Sequence, residues 1–197
     1  MTQARRLAAS AAFLLAAALP SRAADIEAGR VRAETCQACH GEAGISAIPT
    51  VPSLAGQRER FLQWQLVFFR SGRRANEVMG PLAAELSDEE VRNISAYFAS
   101  LPRGEPASAG PPDPAQHEAG RQAAARHRCA ACHTDNFGGS QAAPAIAHQP
   151  RDYTEKALRD YRSAARPSVG VAAMTEAASA LSDADIAALA LFLEAPE

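Results

Sequence analysis

Apolar residues recur at three- and four-residue spacing along much of the chain, and strict alternation is nowhere sustained. From residue 59 to 71 the stripe is Phe61, Leu62, Leu66 and Phe69, one face of a helix. A sparser counterpart, Tyr153, Leu158 and Tyr161, predicts a helix over 153–162. Ser87 stands before Asp88, Glu89 and Glu90, and Ser182 before Asp183 and Asp185. Each serine is suited to cap a helix whose positive end the acids then complement. The helices so started are predicted over 88–100 and 183–194, and another is predicted over 26–35. The fold class is therefore all-α.

The pattern occurs twice. Cys36-Gln37-Ala38-Cys39-His40 matches Cys129-Ala130-Ala131-Cys132-His133, 93 residues later. Upstream, Glu27-Ala28-Gly29-Arg30 matches Glu118-Ala119-Gly120-Arg121. Downstream, Pro52-Ser53-Leu54-Ala55-Gly56-Gln57 matches Pro144-Ala145-Ile146-Ala147-His148-Gln149, and the two Leu-Ser-Asp helix starts match each other. The offset drifts only from 91 to 95, so the order of elements is kept and only loops differ. This is one duplicated unit of roughly 80 residues, with too few copies for a solenoid. Residues 102–114 hold five prolines and two glycines, a semi-extended spacer in which no helix or sheet interior is expected. Domains are expected at 25–101 and 115–197.

The first 23 residues have the pattern of a secretory signal. Arg5 and Arg6 precede an uncharged run from Leu7 to Leu19, and Ser21 and Ala23 are the small residues a signal peptidase needs. The 13-residue run is short for a membrane span, which disfavours an uncleaved anchor. With no cysteine after it, a lipid anchor is not expected. Cleavage after Ala23 leaves 174 residues with 17 basic and 22 acidic side chains, a net charge of −5. The bases are 19 arginines and Lys156 alone. No strong positive field exists to favour nucleic acid. In an oxidising compartment paired cysteines ordinarily become disulfides.

Cys-x-x-Cys-His is the attachment signature of haem c, in which both thiols bond the porphyrin and the histidine faces the iron. A shared zinc site or a redox dithiol would use the same cysteines. Neither explains a histidine directly after both pairs, and a dithiol of the thioredoxin kind would want a βαβ setting. Two covalent haem c groups are therefore expected, on Cys36 and Cys39 and on Cys129 and Cys132, with His40 and His133 as iron ligands. Beyond the signal only two methionines remain, Met79 and Met174, one per repeat and each seven residues before its Leu-Ser-Asp start. A methionine is usually core filler. The shared position instead makes each the second axial ligand, which raises the potential and closes the iron to substrate. A ligand histidine also needs its other ring nitrogen held. The backbone carbonyls of Pro52 and Pro144, 12 and 11 residues downstream, are predicted to do this; the alternative is an ordinary loop proline. His117, His127 and His148 have no counterpart in the first copy and are expected as polar surface residues, His148 aligning with Gly56.

These motifs, with the Pro-Ser-Leu-Ala-Gly-Gln stretch and the paired methionines, resemble the dihaem cytochrome c4 family over nearly the whole mature chain. The resemblance implies two tandem class I cytochrome c domains about a pseudo-twofold, with haem propionates close together between them. It implies a periplasmic carrier taking electrons from a quinol-oxidising complex toward a haem–copper terminal oxidase, and it allows peripheral association with the membrane. It also implies first and last helices crossing at Gly29 with Tyr97 and at Gly120 with Phe192, where a missing side chain lets backbones approach. Arg58, Arg60, Arg70, Arg73 and Arg74 gather near the first stripe, either as a solvated face or as propionate partners. Arg70 aligns with Arg162 and Arg74 with Arg166, so these pairs are the better propionate candidates. The alternatives to a free carrier are an electron-transfer subunit of a periplasmic dehydrogenase and a peroxidase-like enzyme. The latter needs an open or displaceable iron ligand, against which Met79 and Met174 argue.

Units of about 80 residues bury marginal cores, and aromatics make up only 6% of the chain, so a covalently held macrocycle must complete each interior. The chain without haem is expected to lack stable helical structure in either half. A folded apo-protein by circular dichroism would overturn this.

Overall fold

The computed structural model describes residues 23–105, 112–168 and 173–196. The signal segment proposed for residues 1–23 lies outside them, Ala23 excepted. In the first half α1 (Ile26–Arg32) is capped by Asp25, whose side chain accepts from Ala28 N. The helix does not run on to residue 35: the chain turns at Ala33, and α2 (Glu34–His40) carries the whole Cys-x-x-Cys-His segment. The turn re-aims the chain so that Ala33 is fully buried. Then follow α3 (Glu59–Arg70), the short α4 (Met79–Ala84) and α5 (Asp88–Ser100).

The second half repeats this order with α6 (Pro114–Arg126), α7 (Ala130–His133), α8 (Arg151–Arg162), α9 (Ala173–Ser179) and α10 (Asp183–Glu194). Pro114, expected as the end of the spacer, is instead the first residue of α6, where its missing N–H costs nothing and Asp113 caps the free donors beside it. Among the described residues the only β pairing is one isolated bridge, Ser140 with Ala143.

Ser87 and Ser182 cap α5 and α10 through complete capping boxes with Glu90 and Asp185. Each half has its own apolar cluster. Leu62, Ile94, Tyr97 and Phe98 centre the first. Phe137, Tyr161, Ile186, Leu189 and Phe192 centre the second. Cys36 packs against one cluster, and Cys129 and Met174 against the other, so the attachment segments face the cores.

The first and last helices of each half cross at a glycine. A Cβ on Gly29 would lie 2.1 Å from Asn93 O, and one on Gly120 would lie 2.2 Å from Ala188 O and 2.5 Å from Phe192 Cβ. Both obstacles are atoms of the facing helix that cannot swing aside. Gly120→Ala is therefore expected to force α6 off α10 and cost about 1–3 kcal/mol. The measurement is a lowered urea midpoint of the holoprotein with an unchanged slope.

Candidate haem-binding sites

His40 ends α2 and His133 ends α7, and both rings are buried, at 7% and 5% exposure. His40 Nδ1 donates to Pro52 O at 2.8 Å, and His133 Nδ1 donates to Pro144 O at 2.8 Å. A carbonyl oxygen can only accept, so the ring proton sits on Nδ1 and Nε2 keeps its lone pair. Burial holds both imidazoles below the ordinary histidine pKa, against the pull of the carbonyl bond. The neutral ring with a free Nε2 is the form that binds a metal.

The cysteines precede these histidines by one and four positions, on the same turn of chain. Cys36 and Cys129 are half-buried, Cys39 and Cys132 are exposed, and none of the four is paired in a disulfide. Burial pushes the Cys36 and Cys129 thiols up. Among the described residues no three His, Cys, Asp or Glu side chains converge on one point, so the two pairs do not form a joint zinc site. Met79 opens α4 and Met174 lies in α9, both half-buried. The backbone N–H of Met79 is held by Asn76 Oδ1 at 2.7 Å.

The arginines divide by task. Arg70 donates to Leu86 O and to Asp88, and Arg162 donates to Leu181 O and to Asp183. Their forks thus pin the start of the last helix in each half. Arg58 crosses to Gly138 O in the other half at 2.8 Å, Arg73 lies over the Phe68 ring, and Arg60 is exposed. Arg166 is buried and Arg74 half-buried. Arg74 Nη1 and Arg166 Nη2 both donate to Gln65 Oε1, at 2.6 and 3.1 Å, and Arg166 Nη1 donates to Tyr153 Oη at 3.3 Å.

Arg166 is only 5% exposed, its Nε has no partner, and neither does Gln65 Nε2 beside it. Burial and the neighbouring Arg166 charge push the Arg74 pKa down. Burial alone would raise the Tyr153 phenol, but the Arg166 and Arg74 charges pull it down to about 8. Two guanidiniums are thus packed between the halves, Arg166 Nε without a partner and, among the described residues, no carboxylate paired with either. Buried charge of one sign calls for an anion. The propionate groups of haem are anions of the required kind, and the two neutral Nδ1-bonded imidazoles and four cysteine thiols complete a donor set that fits haem c.

Comparison with known proteins agrees. The family model for cytochrome c matches residues 117–195, and that for cytochrome c oxidase, cbb3-type, subunit III matches residues 24–98. The chain is 37% identical to cytochrome c4 of Thiocapsa roseopersicina over 178 residues, 86% of this chain and 92% of that protein. The chain belongs to the cytochrome c4 family. Its fold superposes on reduced recombinant cytochrome c4 from Pseudomonas stutzeri with a TM-score of 0.79 at 34% identity, covering 87% of this chain and 98% of the other. It is also 33% identical over 166 residues to a thiosulfate dehydrogenase electron acceptor of Stutzerimonas stutzeri, 80% of this chain and 77% of that one. As a cytochrome c4, the chain holds two covalent haem c groups, one per Cys-x-x-Cys-His segment, and serves electron transfer.

Two further positions of the repeat matter through contacts that its motifs do not show. Gln57 and Gln149 occupy the same place in both copies, yet they matter as cross-domain partners and not as part of a loop. His148, aligned with Gly56, shares its backbone: φ is +58° at His148 and +63° at Gly56. Each donates its N–H to the last helix, His148 to Leu193 O and Gly56 to Phe98 O. At Gly56 a Cβ would meet Arg103 Cγ at 2.5 Å, which enforces glycine there.

Proposed function

We propose that the protein is a periplasmic two-haem carrier, exported by residues 1–23, that passes electrons from a quinol-oxidising complex toward a terminal oxidase. The haem iron supplies a one-electron couple when bound. His40 with Met79 serves one iron, and His133 with Met174 the other. The observation that carries the reading is the buried His ring in each half, fixed through Nδ1 to a proline carbonyl. A ring held this way supplies one constant ligand. Met79 and Met174, at the same repeat position, would supply the second ligand to each iron. Closed iron exchanges electrons without changing ligands, which suits transfer and not substrate chemistry.

In this reading Arg74 and Arg166 receive the propionates. Arg70 and Arg162, whose forks already hold a carbonyl and a carboxylate, do not. The guanidiniums then lose their mutual strain, and positive charge beside the haems favours the reduced state.

Carbon monoxide tests the ligand set. The reduced holoprotein is expected to carry two haems and to keep its visible spectrum unchanged under carbon monoxide. A shift at either haem means an open or weakly held iron and overturns the carrier reading. The guanidinium assignment has its own check: Arg166→Gln is expected to lower the reduction potential by removing buried positive charge, whereas Arg60→Gln, at an exposed site, leaves it nearly unchanged. Spectroelectrochemical titration measures both.

A second reading is favoured by the likeness to a thiosulfate dehydrogenase electron acceptor: the chain would accept electrons from a dehydrogenase of that class. Purification of the native protein distinguishes the two, since a stable partner of larger size supports the second and a free dihaem chain the first.

A further inference from the structure

The two halves are joined by a reciprocal exchange of glutamine side chains. Gln57 of the first half accepts from Ala145 N through Oε1 at 2.7 Å and donates through Nε2 to Ala145 O at 2.9 Å. Gln149 of the second half accepts from Ser53 N and donates to Ser53 O, both at 3.0 Å. A backbone N–H can only donate and a carbonyl only accept, so the amide orientations are forced. Both glutamines are buried, at 5% and 7% exposure.

The residues they grip are not arbitrary. Ser53 N belongs to the peptide group whose carbonyl is Pro52 O, the acceptor of His40 Nδ1–H. Ala145 N belongs to the peptide group whose carbonyl is Pro144 O, the acceptor of His133 Nδ1–H. Two chains of hydrogen bonds therefore cross the interface. One runs from His133 through the Pro144–Ala145 peptide to Gln57, and the other from His40 through the Pro52–Ser53 peptide to Gln149.

Hydrogen bonds in series polarise one another. A glutamine oxygen that accepts the peptide N–H raises the electron density on the carbonyl of the same peptide. That carbonyl then draws harder on Nδ1–H and makes the imidazole a stronger donor at Nε2. A stronger donor favours the oxidised iron. Because the chains are buried, solvent does not substitute for the glutamine oxygen.

We propose that Gln57 and Gln149 are positioning residues that tune the haem of the opposite domain, each acting through one peptide group on that domain's ligand histidine. The inference rests on the ligand assignment proposed above. In the wild-type reduced holoprotein, ring-current-shifted imidazole resonances for His40 and His133 test that assignment alone, before any variant is made.

The variants are Gln57→Leu and Gln149→Leu in the full holoprotein, followed by NMR of the ring Nδ1–H protons and by spectroelectrochemistry. With Gln57→Leu the His133 Nδ1–H is expected to move upfield and exchange faster with deuterium. The C-terminal haem's potential should rise, while His40 and the N-terminal haem keep their wild-type values. Gln149→Leu should give the mirror result. A response in the variant's own domain, an equal response in both, or no response at either histidine overturns the proposal. A merely structural glutamine would loosen the interface and move both haems together. Should the leucine variants fail to fold, Gln57→Glu decides, because it keeps an acceptor oxygen for Ala145 N. The His133 proton is then expected at or downfield of its wild-type position, and an upfield movement overturns the proposal.

Discussion

A histidine that binds iron through Nε2 is oriented by whatever holds Nδ1, and here a proline carbonyl holds it at 2.8 Å in both halves. Much of the local structure serves that bond. The turn at Ala33 frees the Cys-x-x-Cys-His segment from α1, so that α2 can aim His40 inward. The loop back to Pro52 is pinned under α2 by Gly44 O, which accepts from Leu54 N and Ala55 N. In the second half Phe137 O does the same for Ile146 N and Ala147 N. The glycine crossings set α1 on α5 and α6 on α10 at close range, which fixes the frame against which these loops close. Burial of the ring keeps it neutral, and the carbonyl fixes the tautomer.

Charge is placed with the same economy. Several exposed arginines pair with acids one turn away on their own helices, as Arg30 with Glu27 and Arg121 with Glu118. Such pairs are worth little individually. Arg70 and Arg162 stitch the helix starts, where an i-to-distant bond to a backbone carbonyl adds positional control. Only Arg74, half-buried, and Arg166, buried, lie beside each other between the halves, held by one glutamine oxygen. Two like charges there are unfavourable unless anions join them, which is why the interdomain contact and the cofactor sites must be considered as one structure.

The helices with strong local signals were legible in the chain: the capped segments at 88–100 and 183–194 coincide with α5 and α10, because an N-cap serine with first-turn acids acts over a few bonds. The all-α class, the duplication and the two haem c groups were legible for a similar reason, each residing in short contiguous motifs. The glycine crossings came through the family resemblance. What escaped depends on tertiary contact. α4 and α9 are six and seven residues long and have no amphipathic stripe of their own. The break at Ala33 follows from packing and not from a glycine or proline. Alignment shows that Arg70 and Arg162 are equivalent but not that each bonds the start of its last helix. The cross-domain role of Gln57 and Gln149 lies in partners 88 and 96 residues away, a contact between the copies that their likeness to each other does not show.

The reciprocity of the interface also explains how the two copies have diverged. Gln57 and Gln149 hydrogen-bond only to main-chain atoms, the N–H and C=O of Ala145 and Ser53 and, for Gln57, the N–H of its neighbour Arg58. A backbone partner places no demand on the side chain it carries, so serine and alanine serve equally at that position while glutamine stands at both ends. The proline before each contributes a carbonyl alone, and the loops that reach it differ by one residue without altering the 2.8 Å bond. Gly56 shows the converse. It faces the side chain of Arg103, from the segment that leads toward the second half, and no side chain fits there. His148 repeats its left-handed backbone but carries a ring. The strain of that backbone is of the order of 1 kcal/mol for a residue with a Cβ, and the bond from His148 N to Leu193 O helps to hold it. At this exchange the residue that reaches across with its side chain is the same in both copies, while the residue gripped through its main chain has diverged.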